Sequence, residues 1–234
     1  MNKELNTKVF LFIGQTEFRL IVINSKKEKL FYNKILIDNL SDSYYFEKLN
    51  KFVKENIFKI EKKLKQFVNN IFLITNRKDL LISELSIKKK SIIGESKKKI
   101  INDLLILAKN QFEETLKDEK IIHFKINKFI FDDTEYLFLP SELDYSNLSI
   151  EVQFVCINKI LIDKLKNIFN KYQIIIKKFY SYDYLLKQDN NKNLDFNDIV
   201  HNLMDNNLLN EVIIESLDRK KKRGFFEAFF NFFN

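Results

Sequence analysis

The sequence predicts an α+β fold in which short strands and amphipathic helices alternate, and three observations carry that reading. Three strand-like segments open the chain, at 9–13, 18–23 and 30–37, rich in Val, Ile and Phe and bounded by polar residues. A long helical period follows them directly. A further strand, 71–75, comes straight after that period, which sets the helix against one face of a sheet.

Segments 9–13 and 18–23 flank Gly14-Gln15-Thr16, and 30–37 follows the charged turn Asn24-Ser25-Lys26-Lys27, as in an antiparallel meander. Over 45–69, Leu49, Phe52, Val53, Ile57, Ile60, Leu64, Phe67 and Val68 recur at helical spacing with Lys and Glu between them. The middle third repeats the mixture. A strand at 81–87 precedes a helix at 96–111 whose stripe is Ile100, Ile101, Leu104, Leu107 and Ala108. Strands at 121–131 and 136–139 follow. The strand at 148–157 alternates, with Ile150, Val152, Phe154 and Cys156 on one face. A helix at 158–172 and a strand at 174–179 close the folded part. From Lys187 the composition shifts; 188–193 reads as linker, and 195–217 as one helix or two.

Composition narrows the function classes. Among 234 residues, 45% are hydrophobic and 31% charged, so the chain folds rather than staying disordered. Gly occurs three times and Pro once, which argues against a protein built on Gly-rich phosphate loops. The formal net charge of +8 suits either nucleic acid or an anionic membrane. A single cysteine, Cys156, forbids an intrachain disulfide and fits a reducing compartment. No convincing signal peptide opens the chain, and no run reaches the roughly 20 apolar residues of a spanning helix. The expectation is a cytoplasmic protein that is at most peripheral to the inner face of a cell membrane.

The C-terminal segment decides between the two polyanions. Arg219, Lys220, Lys221, Lys222 and Arg223 form the densest basic run, and Gly224 follows. On a helical wheel Phe225, Phe226, Phe229, Phe230, Phe232 and Phe233 fill one arc of about 160°. Glu227, Asn231 and Asn234 lie on the other side. A helix this short is marginal alone and needs a surface to order it. Full burial of a Phe is worth roughly 1.5–3 kcal/mol, and each cation near an anionic leaflet adds about 1 kcal/mol. These eleven residues are the predicted membrane-binding site, with reversible interfacial attachment. The competing readings are a partner's groove or the protein's own core.

The order of the motifs resembles the actin-like family, and within it the cell-division protein FtsA. The 9–13 strand, Gly14-Gln15-Thr16 and the next two strands resemble the opening meander of an actin-like ATPase, whose subdomains are ribonuclease H-like. The stretch 121–133, Ile-Ile-His-Phe-Lys-Ile-Asn-Lys-Phe-Ile-Phe-Asp-Asp, looks like the FtsA stretch in which a Leu-His-hydrophobic run leads to a Val-Asp-Gly turn. Leu139-Pro140-Ser141-Glu142-Leu143 and then Leu148-Ser149-Ile150-Glu151-Val152 resemble that family's Pro-x-Gly-Met turn and following strand. The 174–179 strand and Ser181 resemble the return strand, and the tail resembles FtsA's membrane-targeting helix. The resemblance covers about 8–185 plus the tail.

It implies a partial actin-like core at 1–77, an FtsA-type insertion domain at 78–172 and the return strand at 173–186. A linker or helical segment at 187–217 and the basic amphipathic helix at 218–234 complete the expected organisation. Two departures imply that nucleotide hydrolysis is lost. Phe12 stands where the family's first phosphate loop carries Asp, and Phe is no metal ligand. No Asp-x-Gly-Gly-x-Thr-type stretch follows Leu185, and the adenosine-binding half is missing. The expectation is therefore no catalytic, cofactor or metal site.

Other candidate chemistry reads as structural. His123 and His201 lack ligand spacing. Cys156 sits on an alternating face as a buried thiol. Asp132, Asp133 and Glu135 read as a polar hairpin turn rather than an acid–base pair. Lys88-Lys89-Lys90 and Lys97-Lys98-Lys99 read as a solvated edge and a helix start, with no base-stacking aromatics interleaved. The first functional expectation is a non-enzymatic cell-division scaffold resembling FtsA, with anionic membrane, other division proteins and self-association as partners and with binding to an FtsZ-like protein in doubt. The alternatives are an actin-like adaptor of another membrane machine, of the PilM type, and a basic nucleic-acid-binding module.

Overall fold

A computed structural model describes residues 7–38, 41–90, 96–140, 144–188 and 195–204. In chain order the elements are β1 (Thr7–Ile13), β2 (Glu17–Asn24), β3 (Lys29–Leu36), α1 (Asp42–Leu64), β4 (Asn70–Thr75), β5 (Leu81–Lys90) and α2 (Lys97–Thr115). Then come β6 (Glu119–Phe131), β7 (Thr134–Tyr136), β8 (Asn147–Asn158), α3 (Lys159–Asn170), β9 (Ile175–Ser181), α4 (Tyr182–Gln188) and α5 (Phe196–Met204). They fall into two compact units. One is Leu81–Ile157, and the other is made of the described residues on either side of it.

The flanking unit is built on a five-stranded sheet of order β3-β2-β1-β4-β9. β1, β2 and β3 pair antiparallel, while β1–β4 and β4–β9 are parallel. Residues 9–13 of β1 are all buried, and so are 20–24 of β2. A strand covered on both faces reads as a continuous apolar run, which is what these two strands carry.

The register sorts side chains onto the two faces. Leu11 stands opposite Leu20, and Ile13 opposite Phe18. Phe18 meets the rings of Tyr45 and Phe52 of α1 at 5.1 and 5.9 Å, so this face lies under α1. On the other face Phe10, Phe12, Ile21, Ile23, Ile74 and Tyr180 form one cluster with Phe196, Ile199, Val200 and Leu203 of α5. A buried polar group of α1 is satisfied: Asn33 Nδ2 donates to Asn56 Oδ1 at 2.7 Å, and Asn56 Nδ2 donates to the Phe52 carbonyl.

Three expectations are corrected by the structure. α1 ends at Leu64 because Lys65 turns left-handed, with φ 54°. Phe67 consequently leaves the predicted stripe and is 81% exposed. In α2 the buried stripe is centred on Ile101, Leu104 and Ala108; Leu105 and Phe112 belong to it, and Leu107 lies at its margin, half exposed. The helix α3 belongs to the flanking unit, not to the inserted one, since its packing runs to β9. Of the 195–217 segment, read as one helix or two, the described residues form α5, and it belongs to the core. Phe196, Ile199, Val200 and Leu203 recur at helical spacing and bury against the sheet.

The unit Leu81–Ile157 is a four-stranded sheet of order β5-β8-β6-β7 with α2 on one face. β8 alternates as expected: Leu148, Ile150, Val152, Phe154 and Cys156 join Ile100, Leu104 and Ala108 in the core. β5 pairs with β8 antiparallel, Leu85 opposite Val152 and Ile87 opposite Ile150. Asp132 and Asp133 form the two-residue hairpin between β6 and β7, with φ of 44° and 71°. Two successive left-handed residues suit the twist of a hairpin, and Asp tolerates that region.

Candidate functional site

The carboxyl end of β1 is where the family resemblance expects a carboxylate and a phosphate loop. Phe12 is 3% exposed. Its ring centroid lies 5.2 Å from Tyr182 and 5.6 Å from Phe196. The Arg19 guanidinium sits 5.4 Å from both the Phe12 and the Phe196 centroids. An aromatic sandwich around one arginine therefore fills the place of the expected metal-binding side chain.

The loop after β1 is also committed to the protein's own structure. Gly14 N–H donates to the Glu17 carbonyl at 2.9 Å, and the Gly14 carbonyl accepts from Tyr45 Oη at 2.9 Å. Thr16 O accepts from Ile37 N–H. A Cβ at position 14 would stand 2.6 Å from the Phe12 ring and 3.0 Å from the Glu17 carbonyl, so glycine is required by close approach and not by a bound phosphate. Glu17 pairs with Arg19 and with Lys34 Nζ at 2.6 Å. Burial opposes its charge, but the bonds from Lys34 and Arg19 prevail and hold its carboxyl below the usual range. The residues present do not fit a magnesium–phosphate group. Among the described residues there is also no group of three or more His, Cys, Asp or Glu able to hold a metal.

A second charged cluster lies at the start of α1 and the end of β4. Arg77 bonds Asp79 Oδ2 at 2.8 Å and Asp42 Oδ1 at 3.3 Å. Its guanidinium stacks 4.6 Å from the Tyr45 centroid and 5.5 Å from that of Phe46. Lys164 of α3 reaches Asp42 Oδ2 at 3.3 Å and lies 5.1 Å from the Phe46 ring. Burial pushes the Tyr45 hydroxyl up to about 12, while Asp42 is held low by Arg77 and Lys164 against the cost of burial. An open groove of about 560 Å³ runs between α1 and α3, lined by Asp42, Phe46, Glu47, Asn50, Lys164 and Lys171. Sequence reasoning singled out none of these residues. An arginine just beyond a strand carries no signal until α1 brings Asp42 and Tyr45 against it.

The remaining candidates sort plainly. Cys156 is fully buried, and burial pushes its thiol up to about 12, as an inert core cysteine. His123 is buried and His201 lies on α5. Asp132 accepts from the N–H groups of Ser146 and Asn147 at 2.8 Å, a loop clasp. Lys88, Lys89 and Lys90 end the edge strand β5. Arg219, Lys220, Lys221, Lys222, Arg223, Phe225, Phe226, Phe229, Phe230, Phe232 and Phe233, the predicted membrane-binding residues, lie outside the described residues. Among the described residues, no helix is long and apolar enough to cross a membrane.

No family model matches the sequence, and no curated protein matches it significantly. Solved structures do. A chain of the "PilM-PilN type IV pilus biogenesis complex" is similar at TM-score 0.44 and 8% identity, over 77% of this chain and 49% of its own. The present chain thus spans about half the length of that one. The ethanolamine utilization protein EutJ from Carboxydothermus hydrogenoformans matches 29% of this chain and 26% of its own, at TM-score 0.26 and 16% identity. A propionate kinase from Francisella tularensis subsp. tularensis matches 49% and 35%, at TM-score 0.20 and 16% identity.

Proposed function

We propose that this chain is a non-enzymatic, actin-like adaptor of a membrane-bound assembly, of the kind exemplified by PilM-type proteins. The observation that carries the reading is the filled end of β1. The ribonuclease H-like sheet is complete, yet its ligand end holds Phe12, Tyr182, Phe196 and Arg19 packed on one another. A sheet retained with its phosphate end closed by apolar rings serves binding, not phosphoryl chemistry, which depends on positioned charge. The likeness to the PilM–PilN chain agrees in kind and adds no weight of its own.

The C-terminal sequence supports a second, finer reading, a cell-division scaffold of the FtsA type. PilM-type proteins lack such a tail, whereas 219–223 and the Phe arc of 225–233 match the composition of an interfacial helix with a basic flank. On either reading the chain works at the cytoplasmic face of a membrane and gathers other proteins there.

Two measurements test this. Calorimetry of the full chain with ATP and magnesium is expected to show no binding, and a saturable heat would overturn the adaptor reading. Flotation with anionic liposomes is expected to carry the intact chain upward and to leave a Phe225→Asp, Phe229→Asp variant behind. Equal flotation of both would remove the tail from the mechanism.

A further inference from the structure

The inserted unit leaves one long strand edge without a described partner. β5 runs ten residues, pairs with β8 along one side, and ends the sheet on the other. Edges of this length are templates for pairing with another chain. The order of side chains on β5 states which chain fits.

Leu85 and Ile87 face the α2 core. Lys89 shares that face and bonds Asp103 of α2 at 2.6 Å. The other face carries Ile82, Glu84, Ser86, Lys88 and Lys90, all exposed. Ile82 is 56% exposed. Two copies of one strand can pair antiparallel only about an axis perpendicular to the sheet, which keeps the α2 faces together and pairs residues of like parity. Three central registers satisfy that condition. Placing Leu85 opposite itself sets Glu84 against Ser86 and Ile82 against Lys88. Placing Ile87 opposite itself sets Leu85 against Lys89 and Ser86 against Lys88.

The third places Ser86 on the axis. Glu84 then stands opposite Lys88 twice, once in each direction, on the solvent face. Leu85 stands opposite Ile87 twice on the core face. Opposite charges and apolar pairs directly across a ladder are the stabilising combinations. The lysines that would otherwise protect the edge then act as a register lock.

We infer that β5 is a self-association edge, through which two copies of this chain join their inserted sheets antiparallel with Ser86 on the two-fold axis and Glu84 paired to Lys88. The surface belongs to the inserted unit alone and does not depend on the functional reading of the flanking unit.

Sedimentation of the full chain tests it. The wild type is expected to dimerise with concentration. Lys88→Glu places Glu84 opposite Glu twice, and Glu84→Lys places Lys88 opposite Lys twice. Each is expected to weaken dimerisation about tenfold or more. Mixing the two variants restores both ion pairs in a heterodimer and is expected to bring the affinity back. A Ser86→Cys variant is expected to cross-link to its own copy on oxidation, since directly opposed Cα atoms lie within disulfide reach. Ile82→Cys, opposite Lys90, is expected not to. A wild type that stays monomeric, or a mixture no tighter than its components, would overturn the inference. Circular dichroism of each variant confirms that the fold is kept.

Discussion

The two sheets of this protein are stabilised in different ways, and the difference is written in adjacent residues. In the flanking unit Leu11 and Phe12 point to opposite faces of β1, and both are buried, one on the α1 side and the other in the α5 cluster. In the inserted unit Phe154 is buried under α2, while its neighbour Gln153 stands on the open face and donates to Glu84 at 2.8 Å. A sheet covered twice tolerates no polar side chain without a partner. A sheet covered once keeps a polar face and an edge on which other proteins can act.

The sharpest way to break this comparison is truncation of neighbours. Leu11→Ala and Phe12→Ala are each expected to cost about 2–5 kcal/mol, through lost burial and the cavity left behind. In β8, Phe154→Ala is expected to cost about 3–5 kcal/mol, but Gln153→Ala less than about 1 kcal/mol. Denaturant unfolding resolved by hydrogen exchange in each unit measures these. A costly Gln153→Ala would show that the outer face of the inserted sheet is structural.

Each unit carries its own pH response. Glu17 has a lowered pKa in the folded flanking unit, so its contribution is present above the ordinary value of 4.5 and is lost as pH falls. Cys156 is raised in the inserted unit from 9.0 to about 12. Between those values the unfolded chain releases a proton that the folded chain keeps, so stability falls as pH rises. Acid titration is expected to weaken both units, through Glu17 in one and Asp132 in the other, and Cys156→Ala is expected to remove the alkaline loss read in the inserted unit while leaving that of the flanking unit, where Tyr45 is likewise pushed up to about 12. An unchanged alkaline profile in that variant would assign the slope to other groups.

The smallest effect concerns the hairpin. Asp133 has φ 71°, while its neighbour Asp132 clasps Ser146 and Asn147. Asp133→Gly is expected to raise stability by up to about 1 kcal/mol, whereas Asp132→Ala is expected to lower it. Thermal unfolding of the pair checks whether the clasp, and not the turn alone, holds this end of the inserted sheet.

Much of the architecture was legible because it is local. The apolar runs of β1 and β2, the period of α1 and the alternation of β8 are each set by side chains a few residues apart. The expected opening meander is likewise present, as β1, β2 and β3 paired antiparallel. The errors came where distance along the chain mattered. Phe67 continues the periodicity of α1 in the sequence, but a left-handed Lys65 ends the helix before it. The 195–204 segment read as helix, but only the apolar face of the sheet explains why it docks.

By itself the sequence determined the element types, the absence of a carboxylate at position 12, and the basic, Phe-rich composition of the tail, since these depend on residue identity and short-range spacing. Tertiary structure alone decided that α3 leaves the inserted unit, that α5 and Arg19 seal the end of β1, and that β5 becomes an edge. Each of these outcomes depends on which apolar faces meet across long stretches of chain, and burial has no direction that a local pattern can record.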